Sequence, residues 1–553
     1  MKTFVGKYYK TLLPFVELLL VAALLCHRPT FLNVLGSLGI LFALYGLMLC
    51  LSRRIVGALH AAFTVLLLFF LINEAKRYFW KGRLQFDDWA VLTDPNNFET
   101  LLHYPIPAVG AAVLLALLCW LFVRGVASDR KKIGGVAAAV VGMALAGIGI
   151  GTAYYAQLNG QEAWLKSMPK GSNFIANVLM SANPHYKSPA EYFNLEGAQP
   201  FVFESEPQKN ADGQLPDVVL LLQESTMDPR YLKGIDPASL PKLDMFDSTH
   251  ATQSGLLRVH TYGGGTWKSE FAVLTGLSSE DFTPFDNSVF YSAVFHLKDS
   301  LFLRMKKAGY KTVIITPFVE GSYNSGQAYR HLGVDEIIHV TERGFPGAPN
   351  KNVWKISAEA LLDIGRTYLD EQTEPVFLYM LTMDEHGPYE AKDSPGFQIR
   401  SEAEISSNVS QARLYTLENY VERLVEASEA VDRFERWVRE RSKPTMFLRF
   451  GDHQPALNWE EGYRLALPDP AFVTQYALTD NRTDVKKNAY PITDIVYLAG
   501  MILERIPGCE DGEFFQANRS MRKAAHGGYD DCADPALLKS YRHEIFVRQK
   551  VAE

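Results

Sequence analysis

The stretch Asp217-Val-Val-Leu-Leu-Leu-Gln223 is a short apolar run between two polar residues, and Glu224 follows it directly. Such a run is typical of a strand that is buried on both faces of a parallel sheet. Three runs of the same kind occur later in the chain, at 311–316, 375–381 and 445–450. Helical patterns separate these runs, including the long amphipathic stretch 411–439. This alternation predicts an α/β domain built on a mostly parallel central sheet.

Polar residues follow three of these runs at the point where each predicted strand ends. Glu224 follows the first run, His386 lies shortly after the third, and Asp452 and His453 follow the last. Ligands of open α/β sheets bind outside the carboxyl ends of the strands, so we expect these four side chains to converge. Carboxylates and imidazoles are common ligands of divalent cations. Each residue alone is also compatible with a helix start, a turn or a loop, but the four placements together favour a metal site.

A glycine-rich stretch, Val259-His-Thr-Tyr-Gly-Gly-Gly-Thr-Trp-Lys-Ser-Glu-Phe271, supplies the candidate nucleophile, Thr266. Thr266 follows three glycines and stands at the start of a helix-like run, 267–277. A helix N-terminus favours an anion beside it, and glycines allow the backbone to approach a ligand closely. A free hydroxyl is a poor nucleophile and needs a metal ion or a base. Considered alone, Thr266 is equally compatible with a simple helix cap.

Five apolar runs precede residue 154 and predict five membrane-spanning helices, at 12–26, 31–51, 55–72, 106–123 and 133–153. Basic residues stand before the first run, between the second and third, and between the fourth and fifth. The positive-inside rule places these three positions in the cytoplasm, and an odd number of spans places the rest of the chain outside. We therefore predict a multi-pass protein of the cytoplasmic (inner) membrane with an extracytoplasmic, periplasmic catalytic domain.

The predicted organisation has three parts: a transmembrane domain at 1–153, a linker with interfacial helices at 154–216, and the outer α/β domain at 217–553. Segment 73–105 mixes aromatic and charged residues, which is typical of helices at the headgroup level and also of an ordered loop. Glu17 would be costly facing lipid, so we expect it to face other helices or to lie near the interface. The net charge of -7 gives no reason to expect nucleic-acid binding.

Two of the five cysteines, Cys509 and Cys532, lie in the predicted outer domain. An even number of cysteines in an oxidising compartment favours a disulfide between them. Two free thiols are the alternative, since spacing along the chain does not establish proximity.

The residues around Glu224, Thr266 and Asp452 resemble those of a known group of enzymes. The sequences Gln-Glu-Ser, Gly-Gly-Gly-Thr-Trp-Lys-Ser-Glu-Phe and Phe-Gly-Asp-His-Gln-Pro look like the sulfatase-type domain of lipoteichoic acid synthases and related membrane phosphoglycerol and phosphoethanolamine transferases, within the alkaline phosphatase superfamily. Those enzymes also carry five amino-terminal spans and an extracytoplasmic catalytic domain. The resemblance implies that Glu224, Thr266, Asp452 and His453 bind a divalent metal ion, zinc or manganese, and that Thr266 is the nucleophile.

The resemblance also implies a substrate-binding set. His386 matches the histidine that contacts the phosphoryl group and assists proton transfer, and segment 321–327 corresponds to the head-group region, which makes Tyr323 and Asn324 candidates. Trp267 either lines the same pocket or packs under the sheet. Segment 321–327 lacks an arginine suited to phosphate, and no cysteine-glycine pair precedes Thr266 as it does in phosphoethanolamine transferases. Phosphoglycerol and phosphoethanolamine therefore both remain open as the head group.

The implied reaction is a double displacement. A head group moves from a membrane phospholipid donor to Thr266 and then to an envelope glycan or lipid acceptor. The alternative is a metal-dependent hydrolase, a sulfatase or phosphodiesterase that uses water as the acceptor, although Thr266 lacks the Cys/Ser-x-Pro-x-Arg context of sulfatases. A non-catalytic membrane scaffold would not need the complete set of metal-ligand residue types. The sequence does not name the head group, the acceptor, the metal in use or the oligomeric state.

Overall fold

The computed structural model describes residues 30–95, 105–129, 131–167, 173–182, 186–203, 213–343, 356–389, 396–402, 409–483 and 490–553, together with the single residues Pro14, Glu17 and Trp354. The chain forms two compact units. The first comprises 1–186 and 192–194, and the second comprises 187–191 and 195–553.

The first unit is helical. Its helices are α1 (Phe31–Ser52), α2 (Ile55–Trp80), α3 (Asp88–Thr93), α4 (Pro105–Ser128), α5 (Gly135–Ser167) and α6 (Phe174–Ser181). Among the described residues, the four long helices α1, α2, α4 and α5 are long and apolar enough to cross a membrane. These helices correspond to four of the five predicted spans, and the first predicted span lies outside the described residues except for Pro14 and Glu17.

Two pairs of buried polar side chains connect described parts of this helical unit. The Glu17 carboxylate lies 2.8 Å from Nδ1 of His60 on α2, so it faces another helix as expected. Near the other end of α2, the Lys76 ammonium binds Asp88 of α3 at 2.6 Å, and both side chains are buried. Burying a charge without a partner is costly, so these pairs hold the short helix α3 and the side chain of Glu17 against α2. The last long helix continues past residue 153 and ends at Ser167.

The second unit is built on one mixed sheet of eight strands in the order β4-β3-β5-β1-β6-β7-β2-β8. The strands are β1 (Asp217–Gln223), β2 (Gln253–Arg258), β3 (Lys311–Thr316), β4 (Glu336–His339), β5 (Val376–Leu381), β6 (Thr445–Gly451), β7 (Val473–Asp480) and β8 (Ile492–Asp494). Strand β7 pairs antiparallel with both of its neighbours, and the other pairings are parallel. The predicted α/β fold with a mostly parallel sheet is confirmed, and β1, β3, β5 and β6 begin within one residue of the predicted runs.

Helices cover this sheet. They are α7 (Pro189–Tyr192), α8 (Asp244–Asp247), α9 (Thr266–Thr275), α10 (Leu301–Lys307), α11 (Ser325–His331), α12 (Val340–Arg343), α13 (Ala358–Asp370), α14 (Gln411–Glu440), α15 (Leu498–Leu503), α16 (Gly512–Ala524) and α17 (Pro535–Arg542).

Strand β1 lies at the centre of the sheet, between β5 and β6. Its apolar residues Val218–Leu222 are all 0% exposed, as expected for a strand with helices on both sides. Burying a side chain of this size stabilises the fold by about 1.5–3 kcal/mol relative to leaving it exposed. On one face, the residues of β1 share a continuous apolar core with the inward faces of α13 and α14. The central strands are therefore a rigid base for the polar residues at their carboxyl ends.

Candidate active site

Glu224 and Asp452 lie side by side because β1 and β6 pair in parallel and end together, with Gln223 opposite Gly451. The two strand ends approach very closely. A Cβ atom on Gly451 would lie 2.1 Å from the carbonyl oxygen of Thr226, so this position requires glycine. Glu224 is 1% exposed and Asp452 is 0% exposed. The fold thus places two buried carboxylates against each other.

Thr266 is brought to the same point by the glycine turn before α9. Gly263, Gly264 and Gly265 have φ angles of 66°, 146° and 80°, which other residues adopt only with strain. The helix begins at Thr266, whose Oγ1 donates a hydrogen bond to Oε2 of Glu224 at 2.9 Å. Thr266 is 8% exposed. The hydroxyl therefore lies at a helix N-terminus and directly on a carboxylate.

We call Glu224, Asp452 and His453 the strand-end cluster, because one ligand atom from each lies within 4.8 Å of the others. His453 Nε2 is 3.3 Å from Glu224 Oε1 and 3.3 Å from Asp452 Oδ2. His453 Nδ1 bonds to the carbonyl of Gln454 at 2.9 Å, so Nδ1 carries a proton. His453 Nε2 and Asp452 Oδ2 are buried without a hydrogen-bond partner. Buried polar atoms of native proteins are nearly always satisfied, which indicates that these two atoms face a ligand.

Neighbouring groups orient Asp452 so that one carboxylate oxygen remains open. Its Oδ1 accepts hydrogen bonds from the backbone N–H groups of Ser225 and His453, both at 2.8 Å. The Oγ of Ser269 on α9 donates to the Asp452 carbonyl at 2.6 Å. Outer contacts of this kind fix the direction of metal-binding carboxylates.

The charges of the strand-end cluster favour a cation. Burial and the Glu224 carboxylate raise the pKa of Asp452 well above its usual value. Burial opposes a charge on His453, but Asp452 and Glu224 raise its pKa to about 9. Burial likewise opposes ionisation of Glu224, yet His453 and then His386 lower its pKa to about 2. Two buried carboxylates thus share one positively charged partner, and an oxygen-and-nitrogen set with open buried ligand atoms fits a divalent cation such as zinc or manganese.

His386 lies at the edge of this cluster. Its Nε2 is 3.9 Å from Oε1 of Glu224, and its side chain is 19% exposed. Its Nδ1 bonds to the carbonyl of Gly387 at 2.7 Å, so neutral His386 carries its proton on Nδ1 and presents Nε2 as an acceptor. Burial lowers the pKa of His386. The ring of Trp354 contacts the imidazole with a centroid distance of 4.8 Å.

The three remaining predicted substrate residues are Trp267, which directly follows the nucleophile, and Tyr323 and Asn324, which lie in the loop after β3. Trp267 packs against Tyr323, with ring centroids 5.9 Å apart, and its Nε1 donates to the carbonyl of Asn287 at 2.9 Å. Tyr323 and Asn324 have positive φ angles of 38° and 61°. Asn324 Nδ2 donates to the carbonyl of Phe290 at 2.7 Å, so this amide nitrogen holds the loop in place. Strained backbone conformations of this type cluster at functional sites.

One buried acid of this region is absent from the sequence-based candidates. Glu270 is one helical turn after Thr266 on α9 and is 0% exposed. Its Oε1 accepts hydrogen bonds from the hydroxyls of Tyr329 and, at 2.9 Å, Tyr379. Burial raises the pKa of Glu270 to about 7. The spacing of four residues from Thr266 was an available signal, since residues i and i+4 share a helix face.

The structure shows no bond between Cys509 and Cys532, and the disulfide between them stays a prediction. Cys509 is buried just before α16. Cys532 follows α16, and its Sγ contacts the carbonyl of Asp534 at 3.4 Å. The thirteen-residue helix Gly512–Ala524 separates the two positions, and an even cysteine count carries no information on such geometry.

The fold and the site together define a class of α/β protein in which a threonine hydroxyl at a helix N-terminus lies beside a buried cluster of two carboxylates and one imidazole. The Sulfatase family profile matches residues 216–505, and the chain belongs to this family. An uncharacterized protein of Haemophilus influenzae is 31% identical over 527 residues, which cover 92% of this chain and 93% of that relative. A protein of Rhizobium meliloti, named provisionally as a cyclic beta-1,2-glucan modification protein, is 27% identical over 245 residues, covering 44% of this chain and 36% of that protein.

The chain is also similar to solved structures. The phosphoglycerol transferase GacH of Streptococcus pyogenes, solved with sn-glycerol-1-phosphate, is 19% identical with a TM-score of 0.49, covering 62% of this chain and 91% of that chain. The integral membrane lipooligosaccharide phosphoethanolamine transferase A of Neisseria meningitidis is 13% identical with a TM-score of 0.49, covering 88% of this chain and 96% of that chain.

Proposed function

We propose that this protein is a membrane-bound, metal-dependent phosphotransferase. It moves a phosphoglycerol or phosphoethanolamine head group from a membrane phospholipid, through a covalent intermediate on Thr266, to an envelope glycan or lipid acceptor. The observation that carries the proposal is the buried hydroxyl of Thr266 at the N-terminus of α9, 2.9 Å from Glu224 and beside the open ligand atoms of the strand-end cluster. The catalytic domain lies on the extracytoplasmic side of the inner membrane in this proposal.

Each residue has a chemical task in this reaction. The backbone N–H groups at the start of α9 bind the phosphate oxygens, since a helix N-terminus favours an anion. Glu224 accepts the hydrogen bond of the Thr266 hydroxyl and orients its oxygen toward phosphorus. A zinc or manganese ion held by Glu224, Thr266, Asp452 and His453 would lower the pKa of the hydroxyl and offset the charge of the phosphate. Trp267 and Tyr323 line the space for the head group.

The reaction has two displacements. In the first, Thr266 Oγ1 forms a bond to phosphorus, the P–O bond to diacylglycerol breaks, and the hydroxyl proton passes by way of Glu224 to the departing diacylglycerol oxygen. In the second, the acceptor hydroxyl forms the new P–O bond, the bond between phosphorus and Thr266 Oγ1 breaks, and Thr266 Oγ1 recovers a proton. Nε2 of His386 takes the proton of the acceptor hydroxyl and passes it toward Thr266 Oγ1, because Nδ1 of His386 is already bound to the carbonyl of Gly387. The lowered pKa of His386 keeps this nitrogen unprotonated before that step.

The Rhizobium meliloti relative favours a glycan as the acceptor, because its name assigns it to modification of cyclic beta-1,2-glucan. Its matched region covers 44% of this chain. The four described apolar helices favour a donor within the bilayer.

Peptide mass spectrometry of the full-length protein tests the proposal. The protein is incubated in lipid nanodiscs with either phosphatidylglycerol or phosphatidylethanolamine, without an acceptor. We expect a head-group phosphate adduct on Thr266 with one of the two lipids, and no adduct in Thr266→Ala. Transfer at the wild-type rate by Thr266→Ala would disprove the covalent route. Release of free head-group phosphate instead of transfer to added glucan would favour the hydrolase alternative.

A further inference from the structure

The long helix α14 contacts both loops that carry the catalytic groups. Tyr420, which is 0% exposed, donates its hydroxyl proton to the carbonyl of Ser225 at 2.8 Å and accepts from the N–H of Met227 at 3.0 Å. Ser225 directly follows Glu224 and has a positive φ of 51°. A residue other than glycine keeps this conformation only when its surroundings hold it. Tyr420 therefore fixes the loop after β1 immediately beside Glu224.

Arg423, one helical turn further along α14, contacts the loop after β5. Its guanidinium donates from Nη1 to the carbonyl of His386 and from Nη2 to the carbonyl of Pro388, the latter at 2.8 Å. The guanidinium also lies over the ring of Tyr389, 5.4 Å from the centroid. Two parallel donors on one planar group hold two carbonyls more rigidly than a single donor can. Arg423 therefore fixes the backbone of His386.

These two contacts belong to one continuous unit. The ring of Tyr389 packs edge-on against Tyr420 with centroids 5.2 Å apart, and its hydroxyl donates to the carbonyl of Glu385 at 2.9 Å. A separate link joins the same loops, since the N–H of Glu224 donates to Oγ1 of Thr382 at 3.2 Å. Helix α14 thus sets the separation between the loop after β1 and the loop after β5. Between these loops, Nε2 of His386 lies 3.9 Å from Oε1 of Glu224.

We propose that Tyr420 and Arg423 are positioning residues with separate tasks: Tyr420 sets the position of Glu224 for metal binding, and Arg423 sets the position of His386 for proton transfer. Within the described part of the chain, neither side chain forms a hydrogen bond or an ion pair with the strand-end cluster; each acts on the backbone of a loop. The inference rests on the proposed function. Residues that orient metal ligands affect metal affinity or activity by about 10- to 100-fold when mutated, and small displacements of catalytic groups have effects of similar size.

The separate tasks of Tyr420 and Arg423 predict different effects of mutation, one on zinc affinity and the other on kcat. Tyr420→Phe keeps the ring that packs on Tyr389 and removes only the hydroxyl, so we expect about tenfold weaker zinc binding. Arg423→Met removes both donors to the His386 loop, so we expect kcat to fall by about 10- to 100-fold while zinc affinity and the KM for the lipid donor stay within about twofold. Arg423→Lys restores a single donor, and its kcat should lie between those of Arg423→Met and the wild type.

The experiment uses full-length protein in nanodiscs. Zinc affinity is measured by competition with a chromophoric chelator on metal-stripped protein, and kcat and KM are measured with a fluorescent donor lipid. Arg433→Met is the matched control, because Arg433 lies on the same helix and pairs with Glu359 at the surface at 2.8 Å; it should behave as the wild type. A melting temperature within a few degrees of the wild type shows that each variant is folded.

Two outcomes would overturn the inference. The first is an unchanged kcat in Arg423→Met while His386→Ala is strongly impaired. The second is equal losses of zinc affinity and kcat in both helix variants, which would indicate a general loosening of the domain. A fully active Thr266→Ala would instead disprove the proposed function, and the zinc titrations would still report on Tyr420 independently of activity.

Discussion

Two buried clusters of histidine and carboxylates occur in the same domain, and they differ in how their charge is balanced. The strand-end cluster has two carboxylates and one imidazole, and within the described residues neither Glu224 nor Asp452 forms an ion pair with a lysine or an arginine. The second group, which we call the C-terminal cluster, consists of His260, Asp281, Asp494, Asp530 and Arg542.

In the C-terminal cluster, a guanidinium and an imidazole of the protein itself pair with the carboxylates. Nη2 of Arg542 lies 2.6 Å from Asp281 and 2.6 Å from Asp530, and Nε2 of His260 lies 3.1 Å from Asp494. Ser278 joins the two halves, because its hydroxyl donates to Asp530 at 3.1 Å and lies 3.3 Å from Nδ1 of His260. The same residue types are therefore structural where the protein supplies the opposing charges. Where they lack a lysine or arginine partner and leave ligand atoms open, they favour a cation.

The largest effect is expected in the strand-end cluster. Asp452→Asn should reduce transfer by about a thousandfold, since losing the metal removes roughly 4 kcal/mol of transition-state stabilisation. In chelator, however, this variant should be at least as thermally stable as the wild type, because burial and Glu224 already disfavour a charge on Asp452 and the asparagine oxygen can still accept the two backbone N–H groups. Zinc should raise the melting temperature of the wild type and not that of Asp452→Asn. A large loss of stability in chelator would show that Asp452 has a structural role like that of the C-terminal acids.

A mutation in the C-terminal cluster should have the opposite signature. Arg542→Met leaves the buried carboxylate of Asp281 without its guanidinium partner, and breaking such a pair typically costs about 3–5 kcal/mol. We expect a lower melting temperature with and without zinc, while the zinc affinity of the folded protein stays unchanged. Arg366→Met is a suitable control, because Arg366 pairs with Asp363 at the surface. A weakened zinc affinity in Arg542→Met would contradict the separation of the two clusters.

The sequence was sufficient to predict the strands β1, β3, β5 and β6, but not the strands on the β7-β2-β8 side of the sheet. Strands β1, β3, β5 and β6 are apolar runs, so their local composition predicts them. Strand β2, Gln253–Arg258, contains glutamine, serine, glycine and arginine, and its pairing with β7 is antiparallel. Such a strand is stabilised by its neighbours more than by its own composition, which periodicity does not detect.

The same distinction applies to the site. Glu224, Asp452 and His453 converge because strand ends in a parallel sheet meet at one edge, a rule that needs no coordinates. Glu270 binds Tyr329 and Tyr379, which are 59 and 109 residues away in sequence. The contacts of Tyr420 and Arg423 also depend on how α14 lies against the sheet. Contacts between residues that are far apart in the sequence determine these features, and the local patterns of a single sequence do not reveal such contacts.

The smallest expected effect is the pH dependence of stability from His260 in the C-terminal cluster. Burial opposes its charge, but Asp494, Asp530 and Glu280 raise the pKa of His260 to about 9, from an ordinary value of 6.5. A raised pKa in the folded state means that this stabilisation is fully present below pH 6.5 and is lost as the pH rises through about 9. Burial also raises the pKa of Asp494, which reduces the net gain, so we expect a difference on the order of 1 kcal/mol. Melting curves of the wild type and His260→Gln between pH 6.5 and 9.5 measure it: their separation should shrink as the pH rises, and a constant separation would show that His260 is neutral in the folded protein.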